Sequence, residues 1–230
     1  MPESTSALRL VLDADPTLFA IVRLSLFISL GATLLAAVLG APLGALIAMT
    51  RFRGREALIV MLNALMGLPP VVVGLAVFLL LSRSGPLGRF GLLFTPQAMV
   101  ITQTVLVLPI IAALTRQTVE DLWNEYRDEL AAMNVGPWRR VAALLWDARF
   151  SLVTALLAGF GRAAAEVGSI IIVGGNIDGY TRTMTTAIAL ETSKGNLPLA
   201  LGLGMVLLCI VVGVNVLAWS VRRAGARFER

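Results

Sequence analysis

The chain has 230 residues, 57% of them hydrophobic and 14% charged, with a net charge of +5 and no histidine. A soluble core of this length cannot hide so much apolar surface, so the composition excludes an ordinary soluble domain and makes a bilayer part of the solvent. The missing histidine removes the commonest general base and zinc ligand, the lone Cys209 excludes an intrachain disulfide, and basic residues scattered beside apolar runs exclude a nucleic-acid patch.

Residues 1–23 carry an amphipathic fragment and are expected at the membrane interface. A helix needs about 20 apolar residues to cross ~30 Å of hydrocarbon, and five stretches qualify: 24–49, 57–81, 96–114, 150–173 and 198–221. The first is too long for a signal-peptide core and no convincing cleavage site follows it, so it is expected to be retained. Within it, Gly40 and Gly44 form a small-xxx-small pair around Pro42. Ser25, Ser29, Thr33 and Ala37 recur on one face, and both features suit close helix packing. In the second stretch, Gly67-Leu68-Pro69-Pro70-Val71-Val72-Val73-Gly74 must kink or break the helix, because two prolines remove two backbone donors. Carbonyls freed at that depth are tolerated only against protein or a water-filled cavity. Pro69 and Pro70 therefore mark either a packing kink or the border of a pathway.

A polar insert, residues 115–149, separates the third and fourth stretches. Residues 119–134 read as a helix with Leu122, Tyr126, Leu130 and Met133 on one apolar stripe. Gly136 is expected to take the left-handed cap position, and Pro137 to open a second helix over 137–146 at an angle to the first. The polar face is rich in acidic groups, which anionic lipid repels. The insert is therefore read as an elbow that docks into a partner, not as a helix lying on the membrane.

In the fourth stretch, Arg162 lies about 12 residues in, ~18 Å along the helix. Glu166 follows four residues later on the same face. A charge within the membrane costs at least ~2.5–3.5 kcal/mol, so the pair must face protein or water. It either lines and gates a pathway or forms a structural ion pair. Asn63, Gln103 and Thr104 are isolated polar residues that interhelical hydrogen bonds would explain.

With the N-terminus outside, the inner connections hold twelve basic residues and the outer ones six, and the short connection 50–56 alone holds Arg51, Arg53 and Arg55. The orientation predicted is N-out and C-in, with 115–149 and the tail 222–230 in the cytoplasm. The chain has no phosphate-binding Gly-x-x-x-x-Gly-Lys-Ser/Thr: its one lysine, Lys194, precedes Gly195 and is predicted outside. Energy for transport must then come from another subunit or from an ion gradient. An ion-coupled transporter would show inverted repeats and intramembrane acids; no convincing repeat is present and only Glu166 qualifies. A membrane enzyme would need a catalytic cluster at one face, and none is visible.

Glu129-Leu130-Ala131-Ala132-Met133-Asn134-Val135-Gly136 resembles the cytoplasmic loop of the permease subunits of bacterial ABC importers, in which Glu-Ala-Ala is followed, after three residues, by Gly. Ala131, Ala132 and Gly136 are in register. Leu130 stands where the family has Glu, with Glu129 one residue earlier, and the family's downstream Ile-x-Leu-Pro is replaced by Leu145-Trp146-Asp147-Ala148-Arg149. Residues 68–74 look like the second-span motif of molybdate and tungstate permeases. Gly161-Arg162-Ala163-Ala164-Ala165-Glu166-Val167-Gly168, followed by Gly175-Asn176-Ile177, is similar to their Arg-x-x-Gly-Glu and Gly-Asn-Ile segments, with Ala165 in place of Gly. The stretch 174–196 is closest to the tungstate branch.

The resemblance implies an all-α polytopic membrane protein with five transmembrane helices and the type I ABC importer permease (MetI-like) fold, in the bacterial cytoplasmic (inner) membrane. Five helices are too few to enclose a pathway comfortably, so a homodimer is expected. The implied partners are membrane lipid, two cytoplasmic ATPase subunits that bind ATP and Mg, and an extracytoplasmic oxyanion-binding protein. This chain itself would hold no cofactor and perform no hydrolysis. Glu129, Ala131, Ala132 and Gly136 would couple to the ATPase, and Arg162, Glu166, Pro69 and Pro70 would line or gate the pathway. The implied cargo is tungstate, or else molybdate or another tetrahedral oxyanion.

Overall fold

The computed structural model describes residues 16–228, which form nine α-helices, one short 3-10 turn at Gly88–Phe90 and no strand. Helix α1 spans Pro16–Met49, α2 Arg55–Met66, α3 Pro70–Leu81, α4 Pro96–Ala132 and α5 Pro137–Asp147. Then come α6 at Arg149–Ala164, α7 at Gly168–Gly174, α8 at Met184–Ser193 and α9 at Leu197–Phe228. Residues 1–15 of the expected interfacial segment and 229–230 of the expected tail lie outside the described residues. Residues 16–23, expected at the interface, form the first two turns of α1, and α9 continues through most of the expected tail.

Helix α4 is the axis of the bundle. Proline at its first position costs no hydrogen bond, and the Thr95 hydroxyl accepts the Ala98 N–H at 3.3 Å. The helix then runs 37 residues, about 55 Å. In its most apolar stretch 72% of residues are buried, against 39% in α1 and 17% in α9. Helix α9 is peripheral and turns Leu208, Val212, Val216 and Leu217 outward.

Helix α1 lies along α4 through a seam of small residues four apart: Ala32, Ala36, Gly40 and Gly44, all buried. At Gly44 the backbones meet so closely that a Cβ would stand 2.3 Å from the Ala112 carbonyl oxygen. The predicted Gly40/Gly44 pair is thus a helix-packing device. The neighbouring hydroxyl stripe of Ser25, Ser29 and Thr33 is also buried; Ser25 and Thr33 donate to carbonyls one turn back.

Among the described residues, three helices are individually long and apolar enough to cross a bilayer, within Leu18–Met49, Pro96–Ala132 and Leu197–Ser220. Two bent pairs could add two more spans: α2 with α3, at 100°, and α5 with α6, at 78°. The break expected within 57–81 is present: Pro69 and Pro70 cannot continue α2, and the stretch forms two helices. Pro69 caps α3 in extended backbone and Pro70 opens it. Helix α2 packs Ile59 and Leu62 on Ile47 and Ala112, while α3 packs Val73 and Val77 against Ala98, Leu106 and Val173. The expected helix 150–173 is likewise broken, with residues 165–167 separating α6 from α7.

Candidate functional site

The polar insert is an elbow, built differently from its sequence pattern. No break separates residues 119–132 from the apolar part of α4, so the expected independent helix is the end of a continuous rod. Asn134, not Gly136, takes the left-handed position, at φ 48°. Gly136 is extended (φ −66°, ψ 156°), because the residue before a proline is pushed towards extended backbone. Asn134 N–H and Val135 N–H close the helix end on the Ala131 and Leu130 carbonyls.

Helix α5 leaves at an angle and folds its apolar face back. Val141 and Leu144 pack with Ala45 and Ala48 of α1, Val119 of α4 and Ala148, with Leu122, Tyr126 and Leu130 around them. Burying Leu144 alone contributes about 1.5–3 kcal/mol. Arg140 Nε donates to the Val135 carbonyl at 2.6 Å and holds the bend. Met133, expected on the inward stripe, is 73% exposed. It lies beyond the last full turn, where the stripe no longer faces α5. Glu129, Ala131, Ala132 and Gly136 are all exposed, as are Met133, Trp138 and Trp146. The elbow therefore presents an outward apolar face with a rigid backing.

Above the elbow sits a charged buckle that sequence reasoning missed. Glu120 of α4 accepts from Arg55 of α2 at 2.5 Å and pairs with Arg116 one turn back on α4. Arg55 also donates through Nε to the Ile47 carbonyl of α1 at 3.0 Å. One carboxylate thus ties three helices at the base of the bundle. The available signal was the arginine-rich 50–56 connection facing an acidic helix.

Arg162 and Glu166 do not share one helix face. Helix α6 ends at Ala164, and the two side chains meet only at 4.0 Å across the break. Arg162 is half-exposed and Glu166 is buried. Glu166 Oε1 accepts the Ser169 N–H of α7 at 3.2 Å, and its carbonyl accepts the Thr185 hydroxyl at 2.8 Å. Glu166 therefore caps one helix and ties α8 to the break, leaving Arg162 held from one side only. Pro69 is exposed and Pro70 half-buried at the α2–α3 corner. Gly74 of α3 sits so close to α7 that a Cβ would stand 2.7 Å from the Ser169 Cα. The proline corner and the Arg162 break are thus linked through one helix contact.

The other expected polar residues do not bridge helices. Thr104 bonds its own helix at the Val100 carbonyl, Asn63 is exposed, and Gln103, fully buried, has no partner at either end of its amide. At the opposite end of α1 from the elbow, the 175–183 loop is folded by Thr181, whose hydroxyl accepts from Ile177 N–H and donates to the Gly174 carbonyl. Ser25 Oγ accepts the Met184 N–H at 2.7 Å and docks α8 on α1. Glu191 of α8 receives Lys194 Nζ at 2.9 Å and Asn196 Nδ2 at 3.0 Å, which hold its carboxyl below the usual carboxylate range.

Residues 40–225 match the family model of the binding-protein-dependent transport system inner membrane component. The chain is 45% identical over 219 residues to a probable anion ABC transporter permease protein of Haloferax volcanii, covering 92% of this chain and 90% of that protein. It is 37% identical over 217 residues to the tungstate uptake system permease protein TupB of Peptoclostridium acidaminophilum (94% and 95% covered). It is 27% identical over 177 residues to the molybdenum transport system permease protein ModB of Azotobacter vinelandii (74% and 78% covered). An all-helical bundle with apolar spans, an elbow keyed to its base and these matches lead to one conclusion: the chain belongs to the binding-protein-dependent transport system inner membrane components, the permease subunits of ABC transporters.

Proposed function

We propose that this chain is the membrane subunit of an ATP-driven importer of tungstate, working as a homodimer with its N-terminus outside and its elbow in the cytoplasm. The observation that carries the reading is the continuity of α4: the exposed elbow face and the buried bundle axis belong to one helix. A partner ATPase seated on Ala131, Ala132, Met133 and Trp138 would move that helix directly. ATP-driven closure of two ATPases would bring the two elbows together and open the spans outward, and hydrolysis would reset them. ATP and Mg would be bound by the ATPase, and an extracytoplasmic binding protein would deliver the anion.

Tungstate is favoured over molybdate because the tungstate-named relative matches across 94% of this chain at 37% identity, against 74% at 27% for the molybdenum one. Arg162, half-exposed beside a helix break, would meet the dianion in the pathway, with Glu166 fixing the break around it. The test is tungstate and molybdate uptake in vesicles carrying the permease with its ATPase. Arg162→Ala should cut tungstate uptake by roughly tenfold, the loss of one charge-assisted hydrogen bond, while the assembled complex purifies normally. Uptake that survives inactivation of the ATPase would sink the ATP-driven reading, and preferential molybdate uptake would overturn the substrate.

A further inference from the structure

A second cationic site lies at the end of the bundle away from the elbow. Arg23 and Arg182 line one side of an open cleft of about 310 Å³, with Phe27, Asp178, Gly179 and Tyr180 around them. Along α1 this cleft is about 33 Å from Ala45, where the elbow packs. The two arginines are 159 positions apart in sequence, and the buried Ser25–Met184 hydrogen bond, two residues beyond each of them, is what brings their segments together. Arg23 is exposed and has no carboxylate partner among the described residues. Arg182 gives Nη1 to Asp178 at 2.9 Å, while its buried Nε has no acceptor. Arg182 thus has Asp178 in contact and Glu191 within electrostatic reach, and the cation of this cleft left open to an anion among the described residues is Arg23.

A run of hydroxyls leads inward from the cleft. Thr183, Thr185 and Thr186 are buried and within 3.1–3.3 Å of one another through Thr183. Thr185 then reaches the Glu166 carbonyl, four residues from Arg162. Ser25, Ser29, Thr183 and Thr185 line a cavity of about 10 Å³ on this route, room for about one water.

We propose that the cleft is a capture site for a tetrahedral dianionic oxyanion, held between Arg23 and Arg182 before it passes inward to Arg162. The site rests on the reading above that the protein imports such an anion and that this end faces outside. Planar guanidinium groups match the oxygen spacing of such anions, and the cleft volume leaves room for the water that stays with an anion in transit. Asp178 would hold Arg182 in place when the site is empty and be displaced when the anion arrives.

The experiment uses the complete transporter in nanodiscs, without nucleotide, and tungstate as the probe. Calorimetry should show tungstate binding that weakens about tenfold in Arg23→Gln, an exposed helix position that leaves the fold intact. Asp178→Asn should strengthen it by removing the competing carboxylate. Absence of binding by the wild type, or unchanged binding in Arg23→Gln, would overturn the site. So would an Asp178→Asn variant as weak as Arg182→Gln, which would make the pair structural. Arginine variants that lose the binding protein yet keep their tungstate affinity would make this surface a protein dock instead. Uptake separates the two levels: a wild-type transporter that imports neither tungstate nor molybdate refutes the functional reading. Import that proceeds unchanged in Arg23→Gln refutes only the capture site.

Discussion

Substituting Gly44 by alanine should open the seam on which the elbow depends. The new Cβ would meet the Ala112 carbonyl oxygen at 2.3 Å, the Arg116 nitrogen at 2.9 Å and the Thr115 Cβ at 3.0 Å. A carbon and a carbonyl oxygen in close contact sit about 3.3 Å apart, so α1 and α4 must separate by about 1 Å here. Overpacking of this kind costs about 1–3 kcal/mol. The obstacle is backbone, which no rotamer change can move, so the upper part of that range applies. For a chain of this size the melting temperature should fall by roughly 4–12 °C. Gly40→Ala meets the Leu108 carbonyl oxygen at 3.1 Å and should cost less, and Gly31→Ala, with its nearest atoms at 3.9 Å, should cost nothing and gain helix propensity. Melting the three variants of the purified permease, and measuring ATPase stimulation in the complex, checks the order. Equal melting temperatures for Gly44→Ala and Gly31→Ala would show that the seam is not tight and refute the reasoning.

Glu120→Gln should destabilise the base by about 1–3 kcal/mol, because Arg55 and Arg116 lose their shared counter-charge. Combining it with Arg55→Gln in a double-mutant cycle should give strongly non-additive losses, and additive ones would deny the buckle. Glu191 has a lowered pKa in the fold, so its contribution is present above the unfolded value of about 4.3 and is lost as the pH falls through the folded value. Glu191→Gln should therefore narrow its stability deficit below about pH 4, and a deficit that stays constant with pH contradicts the assignment. Gly136→Ala should leave thermal stability within about 0.5 kcal/mol, since the backbone is ordinary and no atom lies within 4 Å of the added methyl. A fall in ATPase coupling would then locate the partner at that carbon, whereas a lower melting temperature would refute the geometry.

The helical, membrane-spanning character was legible because apolar runs report burial directly, and the Gly40/Gly44 spacing reported the α1–α4 seam. What escaped the sequence was the geometry of one interruption and the existence of another. Pro69-Pro70 announced a disturbance but not a 100° corner, because a proline fixes where a helix ends and not which neighbour receives the next one. Nothing in the local pattern announced the break at 165–167, because Ala163, Ala164 and Ala165 are good helix formers. There Glu166 leaves the helix to cap α7, and Thr185, nineteen residues on, holds its carbonyl. Helix α8 was missed for the same reason: its place depends on Ser25, 159 residues away. Local composition carries no record of such long-range hydrogen bonds.

The departures from the family pattern at the elbow now have a physical account. A Glu at position 130 could tie the loop through local charge, but here Leu130 packs at the edge of the Val141–Leu144 cluster. The bend is fixed by Arg140 on the Val135 carbonyl, and Trp146 lies beneath the Arg149 guanidinium at 5.1 Å. The contact between elbow and bundle is therefore built from buried apolar packing among α1, α4 and α5. Contacts of that kind are little affected by salt, unlike exposed ion pairs. The acidic residues Glu125, Asp128 and Glu129 lie exposed on the outer surface, where Asp128 pairs with Arg127 at 3.4 Å. With a partner docked on that outer surface, as proposed, rigidity and recognition would be carried by different faces of the same helix, which is what a lever needs if it is to transmit a push without deforming.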